Sequence, residues 1–297
     1  MKKKFTPFQI TAHIVMIIVT LCVVLPFLLL FMSSITDEGA LLANGYSFTP
    51  EKFSLGAYEY IFRSGDKIFR AYGMTLLITA VGTITNVMLS ALFSYPLSLK
   101  NLPGRKVITF FVFFTMLFNG GIVPSYIMWS NYIGVKDTIW GLLLPNLLMG
   151  AMNILLIRTY FSTSIPDTLF EAAQIDGASQ IRIFTSIVLP LGKPILITIG
   201  TFSGLAYWND WTNGLYYVSK RTELYTIQNL LNKMVTDLQF LSTNSGLSGT
   251  LADELSKVPS TGVQMAIAFV AIFPILILFP FLQKYYSKGI SLGAVKG

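Results

Sequence analysis

Between two apolar segments the chain reads Glu171-Ala-Ala-Gln-Ile-Asp-Gly177-Ala-Ser179 and continues to Ile187-Val-Leu-Pro190. Two carboxylates, two alanines and a glycine at this spacing suit contact with another surface. A helix is expected to start just upstream. Ser164-Ile-Pro166-Asp167 offers a capping hydroxyl, an early proline and an acid three residues after the cap. Leu169, Ala172, Ala173 and Asp176 then recur on one helical face, and the two alanines let a partner approach closely. Gly177 supplies the positive φ that ends such a helix. From Arg182 to Val188 the chain leads into Pro190 and the next apolar run.

Bond-making chemistry finds no obvious seat. The only histidine, His13, lies at the edge of the first apolar run, and the only cysteine, Cys22, lies inside it. That excludes an intramolecular disulfide and a four-cysteine metal site. No nucleophile stands beside a general base. Gly192-Lys193 runs into Pro194 and has no glycine five residues earlier, so it is not a phosphate-cradling loop. Away from the span ends, where His13, Arg70, Lys106, Arg158, Lys193 and Asp210 lie, none of six apolar cores carries Asp, Glu, Lys, Arg or His, the usual mark of proton relays. Sodium coupling through backbone carbonyls of broken helices stays open. The chain reads as a conduit whose energy arrives from elsewhere.

The elements that must position the polar stretch are membrane spans. Of 297 residues, 53% are apolar and only 12% charged, where soluble domains average roughly 25%. Spans are expected at about 9–33, 70–98, 106–132, 139–160, 189–211 and 262–283. The first is too long for a signal peptide and lacks a small-residue cleavage site. Two long polar loops, 34–69 and 212–261, alternate with the loop 161–190 and a tail, 284–297. Asn119-Gly-Gly121 and Pro124 interrupt the third span. Irregular backbone at that depth needs protein or water beside it, although a simple kink or an early helix end fits the same residues.

Six spans place both termini on one side, and charge says which. With the amino terminus inside, the inner segments hold twelve basic residues against three acids, and the outer segments nine against eleven. Positive charge marks the cytoplasmic side, so Glu171 faces the cytoplasm. The scattered lysines and arginines, net +7, read as orientation signals and not as a nucleic-acid surface.

The pattern Glu171-Ala172-Ala173, three residues, Gly177, nine residues, Ile187-x-Leu189-Pro190 resembles that of the permease subunits of ABC importers, without departure. The likeness covers nearly the whole chain. It is nearest to carbohydrate permeases of the maltose and complex-oligosaccharide kind, through Asn119–Pro124, Ser164–Asp167, Trp208-Asn-Asp-Trp211, Leu224-Tyr-Thr-Ile227 and Gly293-Ala-Val-Lys-Gly297. It implies an all-α membrane protein with the type I importer fold, six spans and both termini cytoplasmic. It implies that the Glu171 segment is a coupling helix docking on an ATPase, with Glu171 meeting an arginine there. Gly293, Ala294, Val295 and Lys296 then make a second ATPase contact. The implied partners are a different permease subunit, two ATPase subunits, an extracytoplasmic binding protein touching 212–261, and a carbohydrate. ATP and magnesium belong to the ATPase subunits, so this chain needs no cofactor or metal and is not an enzyme.

Tyr207, Trp208, Trp211, Tyr216 and Tyr217 gather at the outer end of the fifth span. With Asn209, Asp210 and Asn119 they offer stacking faces and hydrogen-bonding groups for a sugar path. The same aromatics suit an interfacial belt, and Asn209-Asp210 suits a helix end. A non-sugar solute or an ion-coupled carrier are the competing readings.

Overall fold

The computed structural model describes residues 6–63, 65–243 and 261–294. In chain order the helices are α1 Pro7–Ser34, α2 Glu38–Asn44, α3 Gly56–Arg63, α4 Gly65–Ser98 and α5 Arg105–Leu117. There follow α6 Ile122–Tyr132, α7 Trp140–Leu143, α8 Ala151–Ser164, α9 Asp167–Ile175, α10 Gln180–Leu191 and α11 Lys193–Trp208. The last three are α12 Thr212–Tyr217, α13 Ile227–Thr243 and α14 Thr261–Ala294. Among the described residues the only β pairing is an isolated bridge between Thr36 and Phe53. Individually, α1 and α4 are long and apolar enough to cross a membrane. The pairs α5–α6 and α10–α11 reach that length only together, and they bend by 111° and 78°.

The chain divides into two compact units, Met1–Ile68 with Leu230–Ile275, and Phe69–Asn229 with Leu276–Gly297. In the first, Thr6 and Gln9 cap α1 reciprocally, with Pro7 at its first position. The isoleucines and valines of α1 are exposed along its length. Phe31 packs on Phe269 at 4.9 Å. The Glu38 carboxylate accepts the Thr261 and Gly262 amides at 2.9 and 2.8 Å, placing negative charge at the positive end of α14.

The second unit is built where α4, α8 and α11 meet. Gly200 and Gly204 of α11 face Val87 and Thr83 of α4. An added Cβ at Gly82 would fall 2.5 Å from the Tyr207 ring. Small residues one turn apart let spans approach, which matters because apolar burial drives no association in lipid. Beside this seam, Ser203 and Asn153 donate to the Asn86 side-chain oxygen at 2.8 and 3.2 Å. Such cross-span bonds contribute about 0.6 kcal/mol each.

The helix expected over 139–160 is interrupted. After the single turn α7, Pro145 withholds an amide and Asn146 adopts φ 62°, so regular helix resumes only at Ala151. The freed carbonyls find side chains. Leu143 O accepts Tyr207 Oη, Pro145 O accepts Asn213 Nδ2 and Leu147 O accepts Asn86 Nδ2, at 2.9, 3.0 and 2.7 Å. Buried irregular backbone is thereby satisfied, as a membrane protein requires. Into the expected tail, α14 continues through Pro274 and Pro280 to Ala294, and 295–297 lie outside the described residues.

Asp137 ties the segment before α7 to the one after α12. Its carboxylate accepts the Ser219, Lys220 and Arg221 amides and the Ser219 hydroxyl, at 2.7 to 3.3 Å. These donors hold its pKa well below the ordinary carboxylate range. The anchor is fully present above about pH 3.9 and is lost only as pH falls towards the lower folded value. Asp137→Asn keeps a side chain that tolerates the positive φ here, 56°. It should speed hydrogen exchange at Ser219, Lys220 and Arg221 at neutral pH. Unchanged exchange would mean the charge does not hold this loop.

Candidate functional site

The polar stretch forms a helix, a tight turn and a second helix. Pro166 is the residue that caps α9, with no side-chain hydrogen bond. Ser164 does not cap it. It is the last residue of α8, because the run of helix formers from Ala151 extends that far and only Pro166 breaks it. Asp167 sits in the first turn of α9, favourable for its dipole, and pairs with Lys100 of the α4–α5 loop.

At the other end the turn closes with two bonds. The Gly177 amide donates to Gln174 O at 3.0 Å and the Ala178 amide to Ala173 O at 2.9 Å. With Gly177 at φ 73°, this is the Schellman pattern that satisfies last-turn carbonyls. Ser179 then caps α10 by accepting the Arg182 amide.

Two faces of α9 do different things. Inward, Phe170 is only 8% exposed and packs in a core with Tyr95, Phe161, Ile165, Phe184 and Val188, against which Ala173 also leans. The Tyr95 ring lies 5.4 Å from Phe184 and 6.4 Å from Phe170. Its hydroxyl donates to Gln180 Oε1 at 2.7 Å. Tyr95 of α4 thus grips both helices of the turn. Outward, Leu169, Glu171, Ala172 and Asp176 are exposed, and Ile175 is 86% exposed. The four residues read from the sequence as one face therefore split. Leu169, Ala172 and Asp176 stay outward, while Ala173 leans on the chain's own core.

Behind the turn, α10 meets α11 at Gly192. An added Cβ there would lie 2.6 Å from the Phe161 ring and 2.8 Å from Val188 O. The missing side chain is what lets α8 nest against this corner. Tyr95, Phe170 and Gly192 are the positioning residues that the sequence does not reveal.

The aromatic group disperses. Tyr207 is 1% and Trp208 5% exposed, and Tyr217 is buried with its ring stacked on Tyr126 at 5.9 Å. Tyr207 and Trp208 are core side chains in this structure, and the Tyr207 ring fills a slot left by Gly82. Asn209 Nδ2 bonds back to Leu205 O, and Asp210 Oδ1 takes the Thr212 and Asn213 amides. Both mark helix ends. Trp211 stays 43% exposed. Asn119 Oδ1 accepts the Gly121 amide at 2.9 Å and makes the turn between α5 and α6. Gly293 and Ala294 end α14, while Val295 and Lys296 lie outside the described residues. Among the described residues, no group of three or more His, Cys, Asp or Glu gathers as a metal site.

Trp208→Ala should therefore lower the amount of folded protein in the membrane, as core Trp→Ala costs about 3–5 kcal/mol. Trp211→Ala should leave that amount unchanged and raise the KM for uptake. The reverse pattern would restore Trp208 to the path.

The family model for the inner membrane component of binding-protein-dependent transport systems matches residues 86–292. The polygalacturonan/rhamnogalacturonan transport system permease protein YtcP of Bacillus subtilis (strain 168) is 36% identical, over 92% of this chain and 93% of its own. Protein LplC of the same organism is 35% identical over 92% and 90%. A chain in the crystal structure of a bacterial ABC transporter involved in import of the acidic polysaccharide alginate superposes with a TM-score of 0.80. It is 27% identical, over 96% of this chain and 100% of that one. With the turn at Gly177 and the all-helical fold, these matches place the chain in the family of inner membrane components of binding-protein-dependent transport systems, the permease subunits of ABC importers.

Proposed function

We propose that this chain crosses the membrane six times with both termini cytoplasmic, and is one of two different permease subunits sharing one path for a carbohydrate. The names of its relatives favour oligosaccharides of acidic polysaccharides. The charge bias of the loops supports the sidedness. An extracytoplasmic binding protein delivers the sugar, with 212–261 as its contact. ATP and magnesium act on two separate ATPase subunits, which α9 engages through Glu171, and Gly293–Lys296 makes the second contact.

The observation that carries the coupling role is the two-sidedness of α9. Its inner face is locked by Phe170 into the core of α4, α8 and α10. Its outer face, with Leu169, Glu171, Ala172, Ile175 and Asp176, is covered by nothing among the described residues. A carboxylate among apolar groups suits a charge-assisted pair set in a hydrophobic cleft. ATP binding closes the motor subunits, α9 follows, and the spans open outward; hydrolysis resets them. Two arrangements biased by a partner's ligand are what such coupling requires.

The test is ATP hydrolysis by the reconstituted complex with its binding protein, across neutral and uronic-acid saccharides. Stimulation by acidic oligosaccharides is the expected result. Stimulation only by an amino acid, peptide or lipid would overturn the carbohydrate reading and leave the importer reading standing.

A further inference from the structure

A second feature of the same unit lies beside α9. Lys100, Arg105, Lys106 and Arg158 line a groove of about 770 Å³ together with Phe110 and Phe113. No carboxylate lines it. Lys100 is already balanced by Asp167, but Arg105, Lys106 and Arg158 have no ion pair among the described residues. The Arg158 Nε is spent on Leu97 O at 3.2 Å, which aims its guanidinium without neutralising it. Arg105 Nε is shut away from solvent with no partner. Three cations facing one recess repel each other, and a hidden guanidinium N–H without an acceptor is costly. An anion in the recess relieves the repulsion. The start of α5 adds to this, since Gly104 provides no side-chain cap for its first amides.

The walls say which anion. Below the cations, Phe110 and Phe113 are exposed and continue into the apolar face of α5 with Phe114 and Leu117. A free phosphate or a sugar acid gains nothing from those rings, whereas a headgroup continuous with acyl chains uses both halves of the groove. Basic pockets at the cytoplasmic ends of spans recognise anionic lipid headgroups by this arrangement.

We propose that the Lys100–Arg105–Lys106–Arg158 groove holds the phosphate of an anionic phospholipid, with its acyl chains along Phe110 and Phe113. The lipid neutralises the α4–α5 loop beside α9. The shape does not depend on which solute is carried.

The test uses the whole transporter complex, purified from membranes and examined by native mass spectrometry, then reincorporated in phosphatidylcholine vesicles with or without phosphatidylglycerol. Retained anionic lipid is expected on the unaltered complex. Arg105→Gln with Lys106→Gln should weaken retention roughly thirtyfold, about fivefold for each cation removed. Arg105→Lys with Lys106→Arg, which keeps the charge, should restore it and show that the fold tolerates change here. Equal retention by the neutral variant would overturn the proposal. So would displacement of the lipid by inorganic phosphate alone, which would make this a site for free anions. Loss of ATPase subunits from the neutral variant with lipid still bound would give the groove to a partner's carboxylates instead.

Discussion

Phe170→Ala is expected to lower the amount of transporter, and in the complexes that do assemble to keep basal ATP hydrolysis and remove most uptake. Phe170 is the only side chain of α9 that enters the core as a large apolar body. Its ring is held by Tyr95 from α4 and by the neighbourhood of Phe184 from α10. Truncating a packed Phe costs about 3–5 kcal/mol. A loss of about 1.4 kcal/mol in coupling between α9 and α4 is already tenfold in rate. The outer face with Glu171 is untouched, so the ATPase should still bind, and the measurement is uptake against ATP hydrolysis in the same vesicles. Phe170→Leu, which refills much of the space, should recover part of the uptake. Normal uptake by the alanine variant would mean that α9 transmits through its ends and not through its buried face.

Gly177→Pro should abolish uptake outright with the protein still in the membrane. Two physical demands fail at once. Proline fixes φ near −65°, against 73° in the structure, and it removes the amide that donates to Gln174 O. The turn cannot close, so α9 and α10 cannot keep their relative direction. An added Cβ at Gly177 meets nothing within 4 Å, so Gly177→Ala meets conformational strain alone, about 1–2 kcal/mol. It should be partly active. Uptake by the proline variant equal to that by the native chain would remove the turn from the mechanism. Equal loss in both variants would point to crowding by a partner at this position.

These two residues differ in how far the sequence discloses them. Gly177 is legible because its cause is local: a helix-forming stretch, a glycine, and a capping serine two residues on. Phe170 is not, because its partners Tyr95 and Phe184 come from other helices, and periodicity carries no information about which helix lies opposite. The aromatic group shows the same limit. A Tyr at the end of a span looks alike whether it faces a sugar path or a slot made by Gly82, and only the packing of α4 on α11 distinguishes them. The division of 139–160 was foreshadowed by Pro145 and Gly150, yet high apolarity masks a break when other spans supply its hydrogen bonds. By contrast, the shared outward placement of Leu169, Ala172 and Asp176 follows from helical spacing.

The corner at Gly192 has a mechanical consequence. Because α10 leaves α11 at 78° and the Phe161 ring occupies the space of the absent side chain, the proposed coupling would use α10 as a crank arm and not as a piston. Twelve helical residues at 1.5 Å each give a moment arm of about 18 Å. A 10° twist about that corner then sweeps the far end through roughly 3 Å by simple trigonometry on that arm. A small stroke applied at α9 thus arrives at α11 as torque about the pivot. A bulkier residue at 192 would seize the joint without touching either end of the arm.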